Sequence, residues 1–244
     1  MKRNRLMWGL VSLIVLITCG VSFGDLGNSE THTVPKRTPT PEVKDTRDLS
    51  KYGLVDFSST APLAPERFLV NRRYDNQGWV APTVYPEVGG VGRVTEDDLS
   101  PSLPIAESPL IVVGEIVKAV AYLSNDKLGV YTEFTIRINE TLKTDKAAVK
   151  TVIADRDGGV VIYPGGQRVL YQDSNVKLPK LGNIYVFFLV RDESPNFRIL
   201  TAYELKDGSV QQMELREDVE KLQEKGERDF LQIVRERIRR PISE

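Results

Sequence analysis

Leu110-Ile111-Val112-Val113-Gly114-Glu115-Ile116-Val117 is the stretch on which the fold turns. It is apolar, rich in β-branched residues and carries a single charge, which reads as a β-strand. Working outward, Gly129 to Ile138 alternates through Tyr131, Glu133, Phe134, Ile136 and Ile138, and further runs follow at Val149 to Ala154, Val160 to Tyr163, Val169 to Tyr171, Ile184 to Val190 and Phe197 to Tyr203. Between them stand Asp157-Gly158-Gly159, Pro164-Gly165-Gly166, Pro195-Asn196 and Asp207-Gly208, which supply the positive or fixed φ of tight reversals. About seven short strands with no helical pattern between them predict a mainly β domain over residues 108–213, a small antiparallel β-barrel or sandwich. The length of the first two strands, each able to bend and pair with several neighbours, favours the barrel.

Past this region the period changes. Leu215, Val219, Leu222, Phe230, Ile233 or Val234, and Ile238 recur every three or four residues, which predicts a C-terminal helix or helix pair over 214–240. Glu214, Glu217, Asp218 and Glu220 enrich its start and Arg235, Arg237, Arg239 and Arg240 its end, matching the helix dipole. Gly226 kinks or divides it, and Pro241 stops it.

On the N-terminal side, residues 25–107 hold nine of the fourteen prolines and few sustained apolar runs. Such a stretch buries too little apolar surface to offset its ordering entropy, so it reads as a Pro/Thr-rich, largely disordered linker. A docking segment stands out at 68–86, where Phe68-Leu69-Val70, Tyr74, Trp79 and Tyr85 gather. Before the linker, Lys2, Arg3 and Arg5 precede nineteen uncharged residues, Leu6 to Gly24. Residues 1–24 are therefore a signal peptide or a membrane anchor. Ser22 and Gly24 fit cleavage before Asp25, whereas Leu16-Ile17-Thr18-Cys19 resembles a lipidation site at Cys19 with threonine in place of the usual small residue. Each outcome sends the chain out of the cytoplasm, to the periplasm or beyond, free or held at the membrane through residues 6–24.

The composition narrows the chemistry. Cys19 is the one cysteine and His32 the one histidine among 244 residues, which argues against a histidine triad, a histidine-rich zinc site or a cysteine nucleophile. Thirty-three basic residues against 34 acidic give no electrostatic footprint for nucleic acid.

The runs Ile111 to Val117, Tyr131-Thr132-Glu133, Asn139-Glu140-Thr141-Leu142-Lys143, Gly158-Gly159, Tyr185-Val186-Phe187-Phe188-Leu189 and Phe230 to Arg235 resemble a domain of uncharacterised exported bacterial proteins. The resemblance covers about residues 108–240 and implies an OB-like or other small β-barrel of unknown function, sometimes found beside zinc protease domains. This chain has no His-Glu-x-x-His, so no peptidase activity carries over.

Four further patterns bear on function. Asp155-Arg156-Asp157-Gly158 echoes the start of a calcium loop, but the twelfth position is Gly166 rather than a glutamate, and a β-turn is the simpler reading. Glu115, Asp126, Glu133 and Glu140 are the carboxylates from which a glycosidase-like hydrolase would draw its pair. The glycine turns lack the Gly-Lys-Ser/Thr of a phosphate loop. Lys143, Lys146, Lys150, Lys177 and Lys180, with Tyr131 and Phe134, would line an oligonucleotide face on an OB-like barrel. The sequence as a whole predicts an exported, non-catalytic binding or interaction module, with a membrane contact through its N-terminus, a protein or envelope partner, and no cofactor, metal or nucleic acid. The alternative is the paired-carboxylate hydrolase.

Overall fold

A computed structural model describes residues 48–59, 64–81, 90–93, 102–145, 149–191, 194–214 and 225–240. The leader with Cys19, Gly24 and Asp25, together with Tyr85, Lys146, Leu215, Val219, Leu222 and Pro241, lies outside them. Among the described residues no helix is long and apolar enough to cross a membrane. The elements run as a 3₁₀ turn at Leu49–Lys51, β1 (Leu54–Asp56), α1 (Pro65–Arg72), β2 (Gly90–Arg93), β3 (Leu110–Leu123), β4 (Val130–Thr144), β5 (Thr151–Asp157), β6 (Gly159–Ile162), β7 (Arg168–Asp173), β8 (Ile184–Arg191), β9 (Phe197–Lys206), β10 (Ser209–Gln212) and α2 (Glu227–Arg239). The chain is mainly β with a C-terminal helix. Part of the stretch read as linker contributes β1, α1 and β2.

The larger sheet has the order β10-β9-β5-β4-β3-β8, and β8 pairs in addition with β9. Neighbours are antiparallel except β5 and β9, which meet in parallel at Ala154 opposite Phe197 and Asp155 opposite Arg198. Following the pairings from β3 through β4, β5, β9 and β8 leads back to β3. The smaller sheet, β1-β6-β7-β2, is held by the antiparallel β6–β7 hairpin and flanked by two parallel pairings.

The two-residue period of the strands sorts their side chains into separate cores. From β3, β4 and β8, Val112, Ile116, Phe134, Ile136, Tyr185, Phe187 and Leu189 enter one cluster with Ala154 and Ala202. The intervening residues of β3 and β8, Ile111, Val113, Val186 and Phe188, enter a second cluster with Tyr203 and with Phe230 and Val234 of α2. Both faces of β8 and of the first part of β3, residues 110–114, are thus buried, which is why these stretches read as unbroken apolar runs rather than alternating ones. Trp79, Val80, Ala121, Val130, Val161, Tyr163, Val169 and Tyr171 form a third cluster beside the smaller sheet.

β3 bends through three register irregularities against β4. At Gly114 a side chain would stand 2.5 Å from Ile136 Cγ2 and 2.9 Å from the Arg137 carbonyl, so only glycine admits this approach. The Asp207-Gly208 reversal has φ of 53° and 75°, the double positive geometry that matches strand twist in a two-residue hairpin. The helix expected from Glu214 begins, among the described residues, at Glu227 with Gly226 as its N-cap. Glu214 itself is buried, ion-paired with Arg156 and bonded by the Thr201 hydroxyl, while Arg156 also donates to the Lys177 carbonyl at 3.2 Å.

Candidate functional site

Alternation along β4 and β5 places Tyr131 and Glu133 on the face opposite Phe134 and Ile136, and Asp155 and Asp157 on the face opposite Val152 and Ala154. Glu133 and Asp155 are direct cross-strand partners. Two carboxylates in that relation repel and are costly to bury without compensating cations. The compensation arrives from α1. Arg67 holds Glu133 in an ion pair and reaches the Tyr131 hydroxyl at 3.3 Å, and Arg73, just past the helix end, holds Asp155 at 2.6 Å. The Tyr74 hydroxyl donates to the same oxygen of Asp155, and the Tyr131 hydroxyl donates to Asn71 Oδ1 at 2.6 Å. The Tyr74 and Tyr131 rings stack at 4.1 Å, and the Arg67 guanidinium lies 3.8 Å over the Tyr122 ring.

α1 consequently packs in an inverted sense. It buries Val70 and Asn71 and half-buries Arg67, while Phe68 and Leu69 face outward with 53% and 57% of their surface exposed. Asp155 is fully buried, and its second carboxylate oxygen has no hydrogen-bond partner. Burial pushes its carboxyl up to about 6, with the Glu133 charge adding to the rise and Tyr74 and Arg73 opposing it. Burial, with the Asp155 charge in support, pushes the Tyr74 phenol well above its usual range.

A groove of about 300 Å³ adjoins this junction. Buried Leu110 and Val152, half-buried Phe197, and exposed Val149 and Ile153 supply its apolar lining. Thr144, Asp145, Thr151, Arg191 and Asn196 supply its polar groups. Asn196 belongs to both regions, because its side-chain amide donates to Glu133 Oε1 at 2.5 Å. Arg191 stacks 4.5 Å from the Phe197 ring.

The carboxylates singled out in the sequence are dispersed. Glu115 pairs with Arg137, its cross-strand neighbour, on the surface. Glu140 accepts two bonds from Arg235 of α2, at 2.8 and 2.9 Å. Asp126 closes the β3–β4 reversal, accepting from the Ser124 hydroxyl and the Asn76 and Leu128 amides. Glu133 does face another acid, Asp155, but under α1 rather than across a cleft. Within the calcium-like pattern, Asp155 meets α1 whereas Arg156 is drawn to Glu214, and Asp157 takes the Gln77 amide at 2.6 Å. Among the described residues no three acidic, histidine or cysteine side chains gather as a metal site. Tyr131 and Phe134 are fully buried, out of reach of a stacked base. Lys143 donates to the Ile105 carbonyl.

Sequence reasoning passed over Arg67, Arg73 and Asn196. The available signal was Arg67-Phe68-Leu69-Val70-Asn71-Arg72-Arg73-Tyr74, in which the apolar triplet drew attention away from the cations. Comparison with protein-family models, curated proteins and solved structures finds no match to this chain.

Proposed function

We propose that this chain is an exported, non-catalytic binding module built on a small OB-like barrel, and that the groove beside β5 is its ligand contact. Support for the barrel comes from the closed circuit of pairings and the parallel β5–β9 contact between otherwise antiparallel strands. Export is supported by the charged and apolar leader. One observation carries the non-catalytic reading: Glu133 and Asp155, the carboxylates brought side by side, are each held by an arginine and covered by a helix, whereas the adjacent groove is open and apolar. An acid–base pair for glycoside hydrolysis needs room between its members for the sugar and a water. A concave apolar surface with a few polar groups is what a ligand site needs.

The reading is tested by titrating the full chain with the apolar anionic dye anilinonaphthalene sulfonate while following backbone amide resonances. Shifts centred on Val149, Ile153 and Phe197, lost in an Ile153→Lys variant, are expected. Shifts that ignore the groove, or glycoside hydrolysis by wild type that Glu133→Gln abolishes, would contradict it.

A further inference from the structure

At one place an edge of β5 meets the open groove. β5 pairs with β4 along its whole length, from Thr151 opposite Arg137 to Asp157 opposite Tyr131. On its other side it pairs with β9 at Ala154 and Asp155 alone. The Ile138 amide donates to the Lys150 carbonyl at 2.9 Å, and this sets the antiparallel phase. Residues 150, 152 and 154 turn their backbone groups toward β4, so Thr151 and Ile153 turn theirs the opposite way. Among the described residues, the parallel pairing of Ala154 with Phe197 engages the Ile153 carbonyl on that side, and no strand pairs with the Ile153 amide or with either backbone group of Thr151. The groove lies against this part of β5. Two large apolar side chains stand exposed there, Val149 at 50% and Ile153 at 46%.

An unpaired strand edge beside apolar pockets is the geometry on which an extended segment adds as a further strand. The main chain supplies affinity, and alternate side chains supply selectivity. The groove carries one charge of each sign, Asp145 and Arg191. Arg67, Arg73, Arg137, Arg156 and Arg235 each hold a carboxylate, whereas Arg191 lies over the Phe197 ring and has no carboxylate partner among the described residues.

From these features we infer that the groove binds an extended peptide that adds to the Thr151–Ile153 edge of β5. It seats an apolar side chain against Ile153 and Phe197 and sets an acidic side chain against Arg191. This rests on the binding-module reading and names its ligand class. Because Asn196 lines the groove and also bonds Glu133, the bound segment lies one side chain away from the ion pairs that hold α1.

The test is a selection of short linear peptides displayed on phage and panned on the full chain. Enriched sequences are resynthesised both as such and with alternate amides N-methylated. Hydrogen exchange and amide resonances then locate binding. The expected result is a gain in protection of about tenfold or more at the Thr151 and Ile153 amides. Binding is lost on N-methylation, and peptides bearing an acid bind about tenfold more weakly to Arg191→Glu.

The peptide mode is overturned if N-methylated copies bind as well as their parents, or if selected peptides perturb other surfaces. Protection of Thr151 and Ile153 before any peptide is added also overturns it, because the edge is then already taken by the protein's own chain. The dye titration separates this failure from failure of the wider reading. A groove that takes the dye and no peptide remains a binding site for another ligand class, and a groove that takes neither is not a binding site at all.

Discussion

Two helices lie on strands of the same sheet, and they are held by opposite physics. α2 contributes Phe230 and Val234, both fully buried, to a cluster with Ile111, Phe188 and Tyr203. Burial of such side chains stabilises by about 1.5–3 kcal/mol each, without directional requirements. α1 is anchored through Arg67, Asn71, Arg73 and Tyr74 on Tyr131, Glu133 and Asp155, and it leaves Phe68 and Leu69 outside. Buried ion pairs add little net stability compared with an apolar contact of the same volume, but they demand one geometry. The apolar helix fixes the fold, and the polar helix fixes a position next to the groove.

The comparison is sharpened first by Phe230→Ala, expected to cost about 3–5 kcal/mol of global stability in urea titration, through lost transfer energy and the cavity left behind. Destabilisation below about 1 kcal/mol would mean that α2 is dispensable to the core. Next in size is a pH effect confined to the α1 junction. The buried Asp155 carboxyl stands at about 6 in the folded protein against an ordinary 3.8, so it favours the fold while protonated. Its contribution is full below about pH 4 and is lost as pH rises through about 6, with a ceiling of about 3 kcal/mol. Stability curves of wild type and Asp155→Asn between pH 4 and 7 check this, and the variant is expected to lack that decline. A parallel pair of curves denies the effect. The smallest change is expected at Arg235→Ala, which removes the half-exposed pair between α2 and Glu140 and costs about 0.2–1 kcal/mol, less in high salt.

This contrast also explains what was legible in the sequence. β3, β4, β8 and β9 announce themselves because their apolar content is local and dense, and Asp207-Gly208 marks its reversal because its φ values are unusual for other residues. The C-terminal helix shows in the spacing of Phe230 and Val234, since an apolar docking face leaves a period. α1 leaves none, for apart from Val70 its docking residues are the charged and polar ones that normally mark a solvated face. The pairings of β1 with β6 and of β2 with β7 are parallel and span more than seventy residues, so no local pattern encodes them. Pairing of Glu133 with Asp155 depends on a register that neither strand reveals alone. The groove is equally hidden, since Leu110, Val149, Arg191 and Phe197 reach it from separate strand ends. The leader, the plainest signal in the chain, lies outside the described residues.

The central claim is that the paired acids are committed to holding α1, which leaves the groove as the working surface. Hydrogen exchange of the full chain carrying Glu133→Gln measures this directly. The amides of Phe68 to Tyr74 are expected to lose protection by about tenfold or more while those of β8 keep theirs, because an arginine docked on a carboxylate loses its anchor locally. Unchanged protection across Phe68 to Tyr74 would contradict the account, since the acids would then be free for other chemistry.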